Sequence, residues 1–126
     1  MIEEVQKLID KSEHAIKVAE SLVSVGYPSD AVSKIYYAMF YAAQALLKSE
    51  GIDVVKHSAV ASAFGYYFAK SNRIDSRYHR LLIDARKIRE IADYDIQEEI
   101  VEPVASLKIE EGKEFLTMVK DFIRIS

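Results

Sequence analysis

The sequence predicts an all-α fold, an antiparallel up-and-down bundle of four long helices plus a shorter one. Three observations carry this. Only 4 Gly and 2 Pro occur in 126 residues, with neither an Asn-Gly nor an Asp-Gly pair, so the turn chemistry of β-hairpins is missing. Apolar residues recur at spacings of 3 and 4 along most of the chain, the period of a helix face. The third is residues 35–47, Ile-Tyr-Tyr-Ala-Met-Phe-Tyr-Ala-Ala-Gln-Ala-Leu-Leu, where Gln44 alone breaks an apolar and aromatic run. A surface helix keeps one polar face, and this segment has none. It is also shorter than the roughly 20 apolar residues that span a bilayer. It is expected to be the central and most buried helix, covered by other helices, by a second subunit, or by both.

The first helix is expected over residues 2–25. Ile2, Val5, Ile9, Ser12, Ile16, Ala19 and Val23 form its seam, which Leu8, Ala15 and Leu22 widen. Gly26 supplies a C-terminal stop and Pro28 prevents simple continuation. So short a link implies an antiparallel neighbour. The second helix starts at Pro28 or Ser29 and ends before Gly51. A third, over residues 56–71, turns Val60, Ala63, Phe64, Tyr67 and Phe68 inward. Asp75 or Ser76 caps a fourth that runs to Tyr94. On it Leu81, Ala85, Ile88 and Ala92 make the core face, with His79, Arg86, Glu90 and Asp93 opposite and Arg89 at the boundary. Pro103 argues against an unbroken helix over residues 95–106. Ser106 is therefore taken as the cap of a last helix running to Ile125.

Residues 1–126 are expected to form one domain, long enough to bury its own core. A net charge of −3 argues against a polyanion binder that uses its whole surface. Cysteine is absent, which excludes disulfides, thiolate metal sites and a Cys nucleophile. The opening Met-Ile-Glu-Glu-Val is acidic where a signal peptide is basic, so the chain is expected in the cytoplasm and off the membrane.

Charge is uneven. Lys70, Arg73, Arg77, Arg80, Arg86, Lys87 and Arg89 are opposed over their stretch only by Asp75 and Asp84. Such a strip either binds phosphate, nucleotide or RNA, or pairs with the acidic last helix. The histidines, His14, His57 and His79, are scattered without metal-ligand spacing, so no metal site and no cofactor are expected. His14 falls off the apolar stripe, and His57 opens a helix as a cap or loop contact. Phosphate-loop and nucleophile-elbow motifs are also absent. The tyrosines of the second and third helices read first as core and interface packing. Arg89 and Asp93 stand at i, i+4 and can pair. Acids at a helix C-terminus oppose the macrodipole, so Asp93-Tyr94-Asp95 calls for some other reason.

Three stretches together resemble a known family. Residues 31–47 carry Tyr-Tyr-Ala and Ala-Ala-x-Ala-Leu-Leu. A second element is His57-Ser58 with Ala63-Phe64-Gly65 and Phe68. The third is Arg89-Glu90-Ile91-Ala92-Asp93-Tyr94. In this order they are similar to small stand-alone HEPN-domain proteins of the UPF0332 kind, over nearly the whole chain. The resemblance implies a helical bundle that dimerises. It also implies a partner of the minimal nucleotidyltransferase type, as in toxin–antitoxin pairs, or ribonuclease activity through a late Arg-x(4–6)-His motif. In that motif His is the acid or base and Arg holds the phosphate. Here six residues follow Arg86 and then Asp93 stands where His is expected. Arg73 and His79 fit the spacing literally, but at the start of the fourth helix.

The sequence therefore points to a dimeric HEPN binding module that partners a nucleotidyltransferase, or binds nucleotide or RNA along the fourth helix. Arg86, Arg89, Asp93 and Tyr94 are the ligand residues. Asp93 orients an arginine, and Tyr94 contacts a base or accepts a transferred nucleotide. Tyr36, Tyr37, Phe40 and Tyr41 are the dimer-interface candidates. The alternatives are a metal-independent ribonuclease, with Arg86 and Asp93 or else Arg73 and His79 as its candidates, and a purely structural helical dimer.

Overall fold

The computed structural model describes residues 2–125. In chain order it contains α1 (Glu3–Ser24), α2 (Pro28–Ser49), α3 (His57–Phe64), a π-helical turn (Gly65–Ala69), α4 (Ser76–Tyr94) and α5 (Glu102–Ile125). Among the described residues no strand occurs, and no helix is long and apolar enough to cross a membrane.

The turn residues act as the sequence predicts. Gly26 (φ 89°) and Gly51 (φ 77°) adopt the left-handed conformation that glycine reaches without steric cost. Each closes a Schellman motif: Tyr27 N donates to Leu22 O at 2.8 Å, and Ile52 N donates to Leu47 O at 2.9 Å. α1 buries Val5, Ile9, Ser12, Ala15, Ile16 and Ala19, the predicted seam. Its one fully buried polar side chain, Ser12, donates from Oγ to the Ala38 carbonyl at 2.7 Å, which lets α1 lie close against α2.

α2 is the central element, touching α1, α3, α4 and α5, and it is the most buried. Its burial is not complete around the circumference. Lys34, Tyr37, Tyr41, Gln44 and Lys48 stay half-buried or exposed, and their 3- and 4-residue steps form a single stripe. The chain itself covers the other sides, so burial of this helix does not by itself require a second subunit. Tyr36 and Phe40 keep only 2% and 6% of their surface within one chain, while Tyr37 and Tyr41 remain partly open.

Five expectations need correction. The third helix is not a single α-helix over residues 56–71. α3 passes at Gly65 into a π-helical turn closed by Lys70 N→Gly65 O (2.8 Å), and Asn72 (φ 62°) ends it. Tyr67, expected inside, is 42% exposed. The last helix starts at Glu102 and not at Ser106. Pro103 lies in its first turn, where backbone N–H groups have no intrahelical acceptor and proline removes nothing. On α4, Leu81, Leu82 and Ala85 are buried, while Ile88 and Ala92 are only half-buried. His79 does not lie on an outer face. It is half-buried against α3, because α4 packs on α3 as well as on α2. The predicted cap is Asp75, whose carboxylate accepts from Arg77 N at 2.9 Å.

Candidate functional site

The C-terminal half of α4 lies across α2, so a basic stretch meets an aromatic one. Arg89 is the centre of the contact. Its guanidinium stands over the rings of Tyr37 (5.4 Å), Tyr94 (5.7 Å) and Tyr36 (5.8 Å). Its Nη2 donates to the Tyr37 hydroxyl at 3.1 Å. Its Nε is buried and ion-paired with Asp93 Oδ2 at 3.0 Å. Asp93 also takes a 3.3 Å hydrogen bond from Ser33 Oγ of α2. The carboxylate thus ties the end of α4 to α2 and lies against Arg89. Asp95 has a separate function: its Oδ1 accepts from Gln97 N (2.8 Å) and Glu98 N (3.1 Å), turning the chain out of the helix. These contacts give the acidic helix end its reason.

Arg86 sits one turn earlier, half-buried, with a loose 3.7 Å contact to Glu90. Tyr94 is 71% exposed and flanks a shallow groove with Lys87, Glu90, Ile91 and Asp95.

His57 joins this cluster from α3, and the spacing of residues in the sequence gave no warning of it. Its Nδ1 lies 2.7 Å from the Tyr36 hydroxyl, and its ring stacks on Phe40 with centroids 4.1 Å apart and planes 8° from parallel. Tyr37 meets the same ring edge-on at 5.5 Å. Burial, then the charges of Arg86 and Arg89, hold the imidazole below its ordinary pKa and favour the neutral ring. Burial raises the Tyr36 hydroxyl, against the pull of the same two arginines. The local signal in the sequence was the His57-Ser58 element of the resemblance. The contact itself is long-range and has no motif spacing.

The other half of the basic strip is differently employed. Arg73 makes a two-pronged pair with Glu50 at 2.7 and 3.1 Å and lies over Phe68 and Phe122. Arg77 pairs with Glu114 of α5 at 2.8 Å. His79 has Nε2 3.1 Å from the Ala61 carbonyl and faces Phe64. Arg73 and His79 therefore engage different structural partners. The reading in which the strip pairs with the acidic last helix holds for Arg77, while Arg89 turns toward α2. No group of three or more potential metal ligands occurs among the described residues.

A HEPN-domain family model matches residues 5–125. The chain belongs to the HEPN family. A Methanocaldococcus jannaschii protein named "Putative toxin MJ0142" is 36% identical over 120 residues, covering 95% of this chain and 82% of the relative. A Pyrococcus horikoshii protein, "UPF0332 protein PH1297", is 35% identical over 105 residues, 83% of this chain and 74% of the relative. A Gloeobacter violaceus protein, "UPF0332 protein glr0978", is 37% identical over 94 residues, 75% of each chain. The bundle is thus that of a HEPN domain.

Proposed function

We propose that this HEPN chain, acting as one module over residues 1–126, binds the phosphate of a nucleotide or RNA at the Arg86–Arg89 end of α4. The observation that carries the reading is the Arg89 guanidinium. It is fixed by three tyrosines and Asp93, and Arg86, whose contact with Glu90 is loose, stands one turn away, so two guanidinium groups are gathered at one helix end. A phosphate beside this pair takes charge-assisted hydrogen bonds from the guanidinium groups. Tyr94, exposed and beside Arg89, contacts a base or accepts a transferred nucleotide in this reading. The module works in the cytoplasm as a homodimer, through the open Tyr37 and Tyr41 stripe. Its protein partner is a nucleotidyltransferase-fold chain in a toxin–antitoxin-like pair, a reading supported by the toxin names of its relatives. The test is binding of a labelled single-stranded RNA across a salt series. Wild type should lose affinity as salt rises, with a log–log slope that falls by about one for each phosphate-contacting arginine changed to Ala. Unchanged affinity in the Arg86→Ala/Arg89→Ala chain would overturn the reading.

A second reading is a metal-independent ribonuclease. Its support is the imidazole of His57 beside two arginines, since cleavage needs an acid–base group near a bound phosphate. Asp93 suits that role poorly, with its carboxylate engaged by Arg89 and Ser33.

A further inference from the structure

His57 has chemistry that the phosphate reading of Arg86 and Arg89 does not use. The Tyr36 hydroxyl meets Nδ1 at 2.7 Å and has no other acceptor among the described residues, so it donates there. The neutral ring must then carry its proton on Nε2. That Nε2 has no partner among the described residues. Stacking on Phe40 and the edge of Tyr37 fix the ring plane, so Nε2–H is a pre-oriented donor and not a free rotor.

We propose that His57 is the third donor of the phosphate site, and that its imidazole takes up a proton when a phosphodiester binds. The inference rests on the phosphate-binding reading of the two arginines and deepens it with a pH response. The groups facing the ring are Tyr36 and Tyr37 from α2 and Arg86 and Arg89 from α4, with Glu90 held by Arg86 and Asp93 held by Arg89. Burial and then the two guanidinium charges disfavour a third positive charge. A phosphodiester anion between them reverses the local balance. The ring can then charge without breaking its anchor, because Nδ1–H donates to the Tyr36 oxygen once the hydroxyl has turned.

The sign follows from linkage. The imidazole pKa is lower in the free protein than in the complex, so binding takes up a proton and affinity rises as pH falls through the bound-state pKa. The rise levels off below the free-state value, which itself lies under 6.5. A phosphomonoester would confuse the measurement, since its own second ionisation lies near pH 6. The probe is therefore a short uridine oligonucleotide lacking terminal phosphates, whose phosphodiesters keep a fixed charge from about pH 5 to 8.

The experiment follows the ring resonances of His57 by NMR through a pH titration, with and without that oligonucleotide, in the wild-type chain. Binding affinity is measured in parallel for wild type, His57→Gln and Arg86→Ala/Arg89→Ala. The titration midpoint of His57 should move up on binding, and wild-type affinity should be about tenfold tighter near pH 5.5 than near pH 7.5. His57→Gln should flatten that dependence to about twofold while binding still requires the arginines. The NMR midpoint needs no variant, so a poorly folded His57→Gln leaves the test intact. A midpoint that stays or moves down, with binding still lost in the arginine double variant, overturns the role of His57 alone. Binding that is absent, or indifferent to the arginines, overturns the phosphate reading and this inference with it.

Discussion

The imidazole of His79 lies 2.6 Å from the position a Cβ on Gly65 would occupy. α4 and the π-helical turn approach that closely only because residue 65 has no side chain. Gly65→Ala should therefore push His79 off the Ala61 carbonyl. Overpacking of this kind costs about 1–3 kcal/mol, and a thermal melt should show a clear drop. A melting temperature equal to wild type would mean that the turn yields freely. His79→Ala should likewise lower stability and leave RNA binding untouched.

Ser12 is the one fully buried polar side chain of the described core, and its only partner is the Ala38 carbonyl. Ser12→Ala removes donor and hydroxyl together. The Ala38 carbonyl keeps a helical partner, so the loss should be about 1 kcal/mol by urea unfolding. Ser12→Leu should cost considerably more, because α1 and α2 would be forced apart. A Leu variant as stable as the Ala variant would contradict the close packing described here.

Glu50 is held below its ordinary carboxylate pKa of 4.5, first by its hydrogen bonds with Arg73 and further by the Arg73 charge, against the opposing effect of burial. A depressed acid pKa contributes stability that is full above the unfolded value and is lost as pH falls through the folded value. Wild type should thus lose more stability than Glu50→Gln as pH drops below about 4.5. The pair is partly exposed and screened by salt, so the difference should be small and should shrink in high salt. Parallel pH profiles for the two chains would remove Arg73 from the stabilising contacts.

Catalysis is predicted to be slight. With chelator present, wild type should cleave single-stranded RNA little above background, since the Asp93 carboxylate is engaged by Arg89 and Ser33. Asp93→His places a histidine at the end of the Arg-x(6) spacing and tests whether the cleft accepts an acid–base group. General acid–base help contributes roughly 10²–10⁴-fold. Robust wild-type cleavage lost in His57→Ala or Arg86→Ala would favour the ribonuclease reading instead.

Much of the fold was legible because it rests on local signals. Gly26, Gly51, Pro28 and Asp75 each perform the punctuation their chemistry dictates. The misplaced start of α5 came from treating Pro103 as a breaker, although proline is harmless in a first turn. The site was legible only in part. Arg89 and Asp93 are neighbours on one helix, and their i, i+4 contact follows from the helical period. Tyr37, Ser33 and His57 reach the same place from other elements, and no periodicity encodes a crossing between helices. The inward turn of His79 was missed for the same reason, since it depends on the glycine facing it from the π-helical turn.

The central claim is that phosphate is held at Arg86 and Arg89 and not along the whole basic strip. The most direct measurement is an NMR titration of the arginine Nε–H groups with a short single-stranded RNA. Each arginine in the strip reports for itself. The account predicts that Arg86 and Arg89 shift together. Arg73 and Arg77, bound to Glu50 and Glu114, should stay in place. Shifts in Arg73, Arg77 and Arg80 with Arg89 unmoved would contradict it.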